Sequence, residues 1–284
     1  MGYNKTTYGL GSRRSIIREI FEYSKKRSAE IGSDKVFDFS LGNPSVPAPP
    51  EVNDAVRELL STKSSVELHG YTSAQGDASV RQTVADKIKR EFGIDISKDL
   101  IYMSCGAAAS LSISLKALVE EGAEDEVIVF APFFTEYRVF VENAGAKLVI
   151  SDPMDKTLEI DVCDLEKKIT ERTKALIVNS PNNPSGVVYS KKTVKDMCEL
   201  LKKKSKEYGK PIYLIADEPY RELVYSGVTV PYLMNYYDDT VVCYSYSKSL
   251  SLPGERIGYI AVSPKMCDAE GVYLSICGAG RSLG

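Results

Sequence analysis

A lysine with hydroxyl-bearing neighbours is the residue in this sequence that points most directly to chemistry. The stretch Ser245-Tyr246-Ser247-Lys248 is followed eight residues later by Arg256. A lysine amine can form a Schiff base with an aldehyde, and serine hydroxyls with an arginine fork suit a phosphate monoester. An aldehyde and a phosphate on one small molecule indicate pyridoxal 5′-phosphate (PLP). Taken alone, a lysine in a polar loop is more often simply solvated, so the rest of the chain has to decide.

Other residues suited to this cofactor follow apolar runs elsewhere in the chain. Gly106 begins a run of small residues at a helix start, where backbone N–H groups can approach a phosphate. Phe134 is an aromatic that could stack on a planar ring, and Asn183 could donate to a phenolate oxygen. Asp217 directly follows a buried strand, where a carboxylate is costly unless it is paired. A protonated pyridine nitrogen would pair it.

The elements that must position these residues alternate from about residue 100 onward. Apolar runs predict seven strands at Leu100–Met103, Val127–Ala131, Lys147–Ile150, Ala175–Val178, Ile212–Ala216, Val241–Tyr244 and Ile257–Val262. Helical patterns lie between them at Ala107–Glu121, Thr135–Ala144, Asp161–Ile169 and Lys191–Tyr208. The alternation predicts an α/β fold whose mostly parallel seven-stranded sheet has helices on both faces. Right-handed crossovers would then place every strand C-terminus at one edge.

The first hundred residues are mainly helical by the same criteria. We expect helices over residues 12–31, 51–60 and 77–92, and a short strand at Val36–Leu41. The proline-rich stretch Gly42–Pro50 is the clearest break in composition. It predicts a domain boundary, with residues 1–45 as an N-terminal segment and residues 46–284 as the larger domain.

Composition excludes several other classes of protein. A net charge of −3 gives no indication of binding to nucleic acid or anionic membranes, and no apolar run approaches the roughly 18 residues of a membrane span. The six cysteines are scattered and His69 is the single histidine, which argues against a metal site, a disulfide framework or a hydrolase triad. We expect a cytoplasmic protein without a signal peptide.

Three motifs together resemble a known family. They are Asn-Asn-Pro-Ser-Gly at 182–186, Asp-Glu-Pro-Tyr at 217–220, and the Ser-Tyr-Ser-Lys stretch with Arg256. In this order, each at the end of a predicted strand, they resemble the fold-type I PLP-dependent aminotransferases of class I/II, the group that includes aspartate aminotransferase. The resemblance covers nearly the whole chain.

The resemblance implies a role for each matching residue. Lys248 would hold PLP as a Schiff base and move the proton between the substrate Cα and the cofactor. Asp217 would keep the pyridine nitrogen protonated. Tyr220 and Asn183 would bind the ring oxygen O3′, and Phe134 would stack on the ring. The remaining cofactor-binding residues would surround the phosphate: Gly106, Ala107, Ala108, Ser245, Ser247 and Arg256.

Two further matches concern the partner subunit and the substrate. Tyr71 matches a tyrosine that reaches the phosphate of the neighbouring subunit, which implies a homodimer with shared active sites. Gly42 matches a loop glycine that contacts the substrate carboxylate, and Asn183 would also touch the substrate. Family members continue for roughly a hundred further residues, about the size of a small domain. We therefore expect the C-terminal residues that build most of the small domain to be missing from this sequence. Residues 1–45 would be the N-terminal segment of that small domain.

The implied activity is transfer of an amino group between an L-amino acid and a 2-oxo acid. The same motifs would hold PLP in a β-lyase, a decarboxylase or a racemase, and a truncated non-catalytic PLP-binding protein is a further alternative. A nucleotide-binding Rossmann protein is disfavoured because no Gly-x-Gly-x-x-Gly follows the first strand. The sequence identifies neither the amino donor nor the acceptor.

Overall fold

The seven apolar runs of the sequence pair as the strands of one sheet. A computed structural model describes residues 2–12 and 16–284. Its strands are β1 Ile101–Ser104, β2 Glu126–Phe130, β3 Lys147–Ser151, β4 Thr173–Asn179, β5 Tyr213–Asp217, β6 Thr240–Ser245 and β7 Gly258–Val262. Each lies within two residues of a predicted strand at both ends, because uncharged β-branched runs are favoured in strands buried on both faces.

The strand order is β1-β7-β6-β5-β4-β2-β3, and every pairing that does not involve β7 is parallel. The predicted mostly parallel α/β sheet is therefore confirmed. β7 is antiparallel to both β1 and β6, so the expectation that every strand ends at one edge is wrong for β7. Instead, its first residue, Gly258, lies opposite Ser104 and Ser245, which end their strands.

The helices are α1 Lys5–Ser12, α2 Ile16–Ile31, α3 Pro50–Thr62, α4 Ser65–His69, α5 Ala78–Phe92, α6 Ala107–Leu118, α7 Glu136–Asn143, α8 Val162–Lys168, α9 Lys191–Tyr208, α10 Tyr246–Ser249 and α11 Ala269–Leu283. Six of them cover the two faces of the sheet. One apolar layer joins the sheet to α5, α8 and α9, and another joins it to α6, α7 and α11. Alternate residues of each central strand enter opposite layers, as Leu214 and Ile215 do. Among the described residues, no helix has the length and apolar character to span a membrane.

Local capping explains where the well-predicted helices begin and end. Ser190 accepts from the Thr193 amide at the start of α9, and Gly209 ends it at a φ of 65°, a conformation that glycine adopts readily. The helices α1, α4, α10 and α11 were not predicted. The sequence of α11 contains three glycines, which have low helix propensity, so the sequence did not predict a helix there.

Compact packing separates two units, Met1–Pro47 and Ala48–Gly284. The first unit contains α1 and α2, and residues 13–15 of the predicted helix 12–31 lie outside the described residues. The predicted strand Val36–Leu41 is wrong, since those residues adopt no strand conformation. Asp38 accepts from both the amide and the hydroxyl of Ser40, and such local bonds compete with strand pairing. That residues 1–45 belong to a small domain stays a prediction.

The reversal of β7 brings three backbone segments into close contact. A Cβ atom at Gly258 would overlap the carbonyl oxygen of Tyr244 and would lie 2.9 Å from the Cα of Gly106. Both neighbours are backbone atoms of packed elements, so neither can move away cheaply. Glycine at 258 is therefore required by space.

Gly258→Ala should lower the free energy of unfolding by about 1–3 kcal/mol, because the added methyl overpacks a rigid corner. Urea titration followed by circular dichroism measures this. Gly278→Ala is the matched control, since a Cβ there meets nothing within 4 Å and alanine is favoured over glycine in a helix. Equal stability of the two variants would contradict the close-contact explanation.

Candidate active site

The ends of three adjacent strands form the centre of the candidate site. Asn179 of β4, Asp217 of β5 and Cys243 of β6 stand side by side in register. The segments that follow these strands carry the Asn-Asn-Pro-Ser-Gly, Asp-Glu-Pro-Tyr and Ser-Tyr-Ser-Lys motifs. All three motifs therefore leave the sheet at the same edge. Because β7 starts at this edge, Arg256, two residues before it, also lies there.

Asp217 is a buried carboxylate with one oxygen satisfied. The Tyr137 hydroxyl donates to its Oδ2 at 2.5 Å, whereas Oδ1 has no hydrogen-bond partner within the described residues. Burial raises the pKa of Asp217 to about 7. The bond from Tyr137 opposes this increase in pKa, and the neighbouring Glu218 adds to it. An unpartnered, buried acceptor of this kind needs a donor that the described chain does not supply.

Tyr137 was not identified from the sequence. It lies in α7, is fully buried, and its pKa is raised well above the usual range, first by burial and then by the charge of Asp217. Phe134 contacts it edge to face, with ring centroids 5.7 Å apart. Phe134, predicted to stack on a ring, is thus one aromatic contact away from Asp217. No sequence signal distinguishes Tyr137 from an ordinary core tyrosine.

Asn179 connects two of the motifs and was also missed. Its Nδ2 donates to the Asp217 carbonyl at 2.8 Å, and its Oδ1 accepts from the Asn183 amide at 2.7 Å. Asn183 in turn donates through Nδ2 to the Tyr220 hydroxyl at 3.3 Å. The pKa of Tyr220 is raised by burial and by Asp217, and the bond from Asn183 partly opposes this. The structure therefore brings Asn183, Asp217 and Tyr220 together.

Lys248 lies in the single helical turn α10. Ser245 caps this turn by accepting from the Ser247 amide at 3.2 Å, and the two serine hydroxyls are 2.8 Å apart. Lys248 is half-buried, and burial lowers its pKa. A lowered pKa favours the neutral amine, which is the nucleophilic and basic form.

Arg256 and Gly106 meet at a second corner of the site. Arg256 has a φ of 55°, which is uncommon for a residue with a side chain. Its guanidinium donates to the carbonyl of Pro253 at 3.0 Å and to that of Cys105 at 3.2 Å. A Cβ at Gly106 would lie 3.0 Å from Arg256 Nη2, so the arginine lies directly against this glycine.

Gly106 is also the N-cap of α6, whose first turn contains Ala107 and Ala108. No side chain of the described chain caps this helix start. The first N–H groups of an α-helix lack helical partners and favour anions. Together with Arg256 on one side, the arrangement is suited to a phosphate group.

The remaining two predicted site residues are placed differently. Tyr71 is fully exposed, in a loop that is tied to β1 by the bond from the Met103 amide to the Gln75 carbonyl at 2.9 Å. Gly42 lies in the first unit. The predicted roles of both residues stay predictions.

Comparison with known proteins agrees with this arrangement. The family model described as aminotransferase class I and II matches residues 34–270. The chain belongs to this aminotransferase family. A crystal structure of an aminotransferase from Eubacterium rectale is 55% identical, superposes with a TM-score of 0.97, and is covered to 71% by the whole of this chain.

Curated aminotransferases are also similar. The aspartate aminotransferase of Thermotoga maritima is 34% identical over 89% of this chain, and that of Bacillus subtilis is 30% identical over 87%. The chain spans 65% and 61% of the length of these two relatives.

The raised pKa of Asp217 predicts a pH-dependent stability in the ligand-free protein. A carboxyl whose pKa rises from 3.8 to about 7 on folding contributes stability below about pH 4 that is lost as the pH rises through 7. Asp217→Asn cannot ionise. The free energy of unfolding of this variant minus that of the wild type should therefore increase from pH 4 to pH 8, by on the order of 1–4 kcal/mol.

Urea titrations at several pH values measure this difference. Asp155→Asn, which changes an exposed carboxylate, is the control and should show no such trend. A difference that instead decreased with pH would mean that Asp217 is ionised and paired in the folded protein.

Proposed function

We propose that this chain acts as a PLP-dependent aminotransferase, which moves an amino group between an L-amino acid and a 2-oxo acid. The observation that carries the proposal is the Oδ1 atom of Asp217, a buried acceptor without a donor in the described chain. A protonated pyridine nitrogen supplies the missing donor and the compensating charge. The residues at this edge of the sheet therefore fit PLP, and membership of the aminotransferase family supports the same cofactor.

Each part of the cofactor has residues suited to hold it. Lys248 would bind the aldehyde carbon, Asp217 the ring nitrogen, and Tyr220 and Asn183 the ring oxygen. Phe134 would cover the ring. The phosphate would lie among the small residues at the start of α6, the two hydroxyls and the arginine: Gly106, Ala107, Ala108, Ser245, Ser247 and Arg256.

When bound, PLP supplies a conjugated ring that accepts the electron pair left at the substrate Cα after deprotonation. Asp217 would hold the proton on the ring nitrogen and so strengthen this electron acceptor. Lys248 would move the Cα proton through its Nζ, and its lowered pKa favours the neutral, basic amine. Gly42 and Asn183 would orient the substrate.

The substrate and the assembly are inferred from the relatives. The two curated relatives are named aspartate aminotransferases, which favours transamination over β-elimination or decarboxylation and makes L-aspartate the first donor to test. We also propose a homodimer in which Tyr71 of one subunit enters the site of the other, since its side chain is fully exposed. Cytoplasmic location and the lack of nucleic-acid and membrane partners stay predictions from the sequence.

Incubation with PLP should turn the protein yellow, and borohydride should fix the cofactor on Lys248, because this half-buried amine has a lowered pKa. L-Aspartate added to the loaded, unreduced protein should give the corresponding 2-oxo acid without external acceptor. Absorbance measures the binding of PLP, peptide mapping locates the fixed cofactor, and mass spectrometry identifies the 2-oxo acid.

Lys248→Ala is the control for this prediction and should show no borohydride-fixed cofactor. Fixation on another lysine would refute the assignment of Lys248. Release of ammonia or carbon dioxide in place of the 2-oxo acid would identify a lyase or a decarboxylase instead.

Substitution of Arg256 should mainly lower the affinity for PLP, whereas substitution of Asp217 should mainly lower the rate of the half-reaction. Arg256→Ala should weaken PLP binding about 10- to 100-fold, the size expected for lost hydrogen bonds to a charged group, because the guanidinium lies against Gly106 at the start of α6. Saturating PLP should then restore much of the half-reaction rate. Asp217→Asn should remain slow at full occupancy, since its defect lies in the transition state.

Equilibrium dialysis gives the affinity, and stopped-flow absorbance gives the half-reaction rate. Arg256→Lys keeps the charge but loses the fork, so its affinity should lie between those of the wild type and Arg256→Ala. A normal rate in fully loaded Asp217→Asn would refute the role of this carboxylate.

A further inference from the structure

Tyr244, four positions before Lys248, makes contacts that the three motifs do not explain. It is buried in β6, and its hydroxyl lies 2.8 Å from Glu222 Oε1 and 2.9 Å from Ser249 Oγ. A phenol has one hydrogen and can also accept. A carboxylate only accepts, so Glu222 takes the Tyr244 hydrogen, and the Ser249 hydroxyl can supply the hydrogen of the second bond. The tyrosine thereby links two side chains from different segments.

The two linked segments are those that carry the reactive residues. Glu222 follows Asp217 and Tyr220 on the connection after β5, and Ser249 is the residue next to Lys248. The Tyr244 hydroxyl is therefore a bridge between the segment of the carboxylate and the turn of the lysine.

The lysine turn needs such support at its C-terminal end. A single helical turn is not stable by itself, and Ser245 caps only the N-terminal end of α10. At the other end the closing backbone bonds are long, with Leu250 N to Tyr246 O at 3.3 Å and Ser251 N to Lys248 O at 3.4 Å. The contact of Ser249 with Tyr244 is shorter than either, at 2.9 Å.

The bridge itself is held in place from both sides. The Tyr244 ring stacks on Tyr259 with centroids 5.0 Å apart and meets Tyr246 edge to face at 5.1 Å. Lys87 of α5 lies 3.4 Å from Glu222 Oε1 and 5.2 Å from the centre of the Tyr244 ring. The ring of Tyr244 is thus held by aromatic packing, and Glu222, which accepts from its hydroxyl, is held by Lys87.

We propose that Tyr244 is a positioning residue, whose hydroxyl fixes the Lys248 turn relative to the segment that carries Asp217 and Tyr220. The proposal rests on the proposed function, since it assigns Tyr244 a part in the reaction of Lys248 with PLP. The physical reason is that reaction rates fall steeply when a reacting group is misplaced by even about 1 Å.

Two variants separate the hydroxyl from the ring. Tyr244→Phe keeps the ring contacts and removes the bridge. Tyr246→Phe is the matched control, because it removes a hydroxyl from the same aromatic cluster, and that hydroxyl makes no hydrogen bond that we describe. Glu222→Ala removes the bridge from its exposed end, and Glu222→Gln keeps an acceptor oxygen there.

The first measurement uses the full chain without cofactor. Amide hydrogen exchange in residues 246–251 and 218–223 should be about ten-fold faster in Tyr244→Phe, the size expected for loss of one hydrogen bond to a charged group. Glu222→Ala should show the same increase, and Tyr246→Phe and Glu222→Gln should resemble the wild type. The double variant Tyr244→Phe/Glu222→Ala should show no further increase, because both changes break one bridge.

The second measurement is the rate at which Lys248 captures PLP, followed by absorbance and by borohydride fixation. We expect capture to slow about ten-fold in Tyr244→Phe and in Glu222→Ala, in proportion to the loosening of the turn. Thermal unfolding identifies any variant that is globally destabilised. Were Tyr244→Phe to fail to fold, Glu222→Ala, altered at an exposed residue, would carry the test.

Three outcomes are informative. Unchanged exchange in Tyr244→Phe overturns the proposal, and so does faster exchange with unchanged PLP capture, since the bridge would then not position the lysine. Failure of the wild type to capture PLP on Lys248 contradicts the proposed function instead. The exchange data then decide by themselves whether Tyr244 holds the turn.

Discussion

A carboxylate buried at the end of a central strand is the constraint on which the candidate site depends. Removing the Asp217 side chain from water costs free energy unless a donor or an opposite charge reaches it. Tyr137, which lies in α7 on one face of the sheet, donates to one carboxylate oxygen at a distance of 2.5 Å. The other oxygen has no donor in the described chain. The described chain therefore leaves one oxygen of this buried carboxylate available to a bound group at the strand ends where the three motifs meet.

The second corner of the site depends on the direction of one strand. A fully parallel sheet would start β7 at the opposite edge, and Arg256 would then lie far from the other motifs. Because β7 is antiparallel to both neighbours, its start meets the ends of β1 and β6. The contact of Gly258 with Gly106 follows from this reversal. The topology of the sheet thus brings the backbone N–H groups at the start of α6 close to the Arg256 side chain. Gly106, at that helix start, and Arg256 are 150 positions apart in the sequence.

The sequence predicted what depends on local pattern and missed what depends on tertiary contacts. The strands were predictable because burial on both faces demands continuous apolar runs, as in β2. The strand at Val36–Leu41 was wrong because its pattern suited a strand while the Asp38–Ser40 bonds favour a bend. The motif residues could be recognised by type and order. Tyr137, Asn179 and Tyr244 could not, since a buried tyrosine or asparagine has no pattern that reveals its partner.

These three unrecognised residues share a physical role. Each uses an uncharged side chain to hold a motif segment by hydrogen bonds. Tyr137 of α7 holds the Asp217 carboxylate, and Asn179 joins the end of β5 to the segment after β4. Tyr244 joins the segments after β5 and β6. Segments already fixed to one another lose little conformational entropy when a ligand binds. They also keep reacting groups at defined separations. The proposed cofactor-binding residues are thus tied by hydrogen bonds to neighbours outside the three motifs, and the precision of the site depends on those neighbours as well as on the motifs.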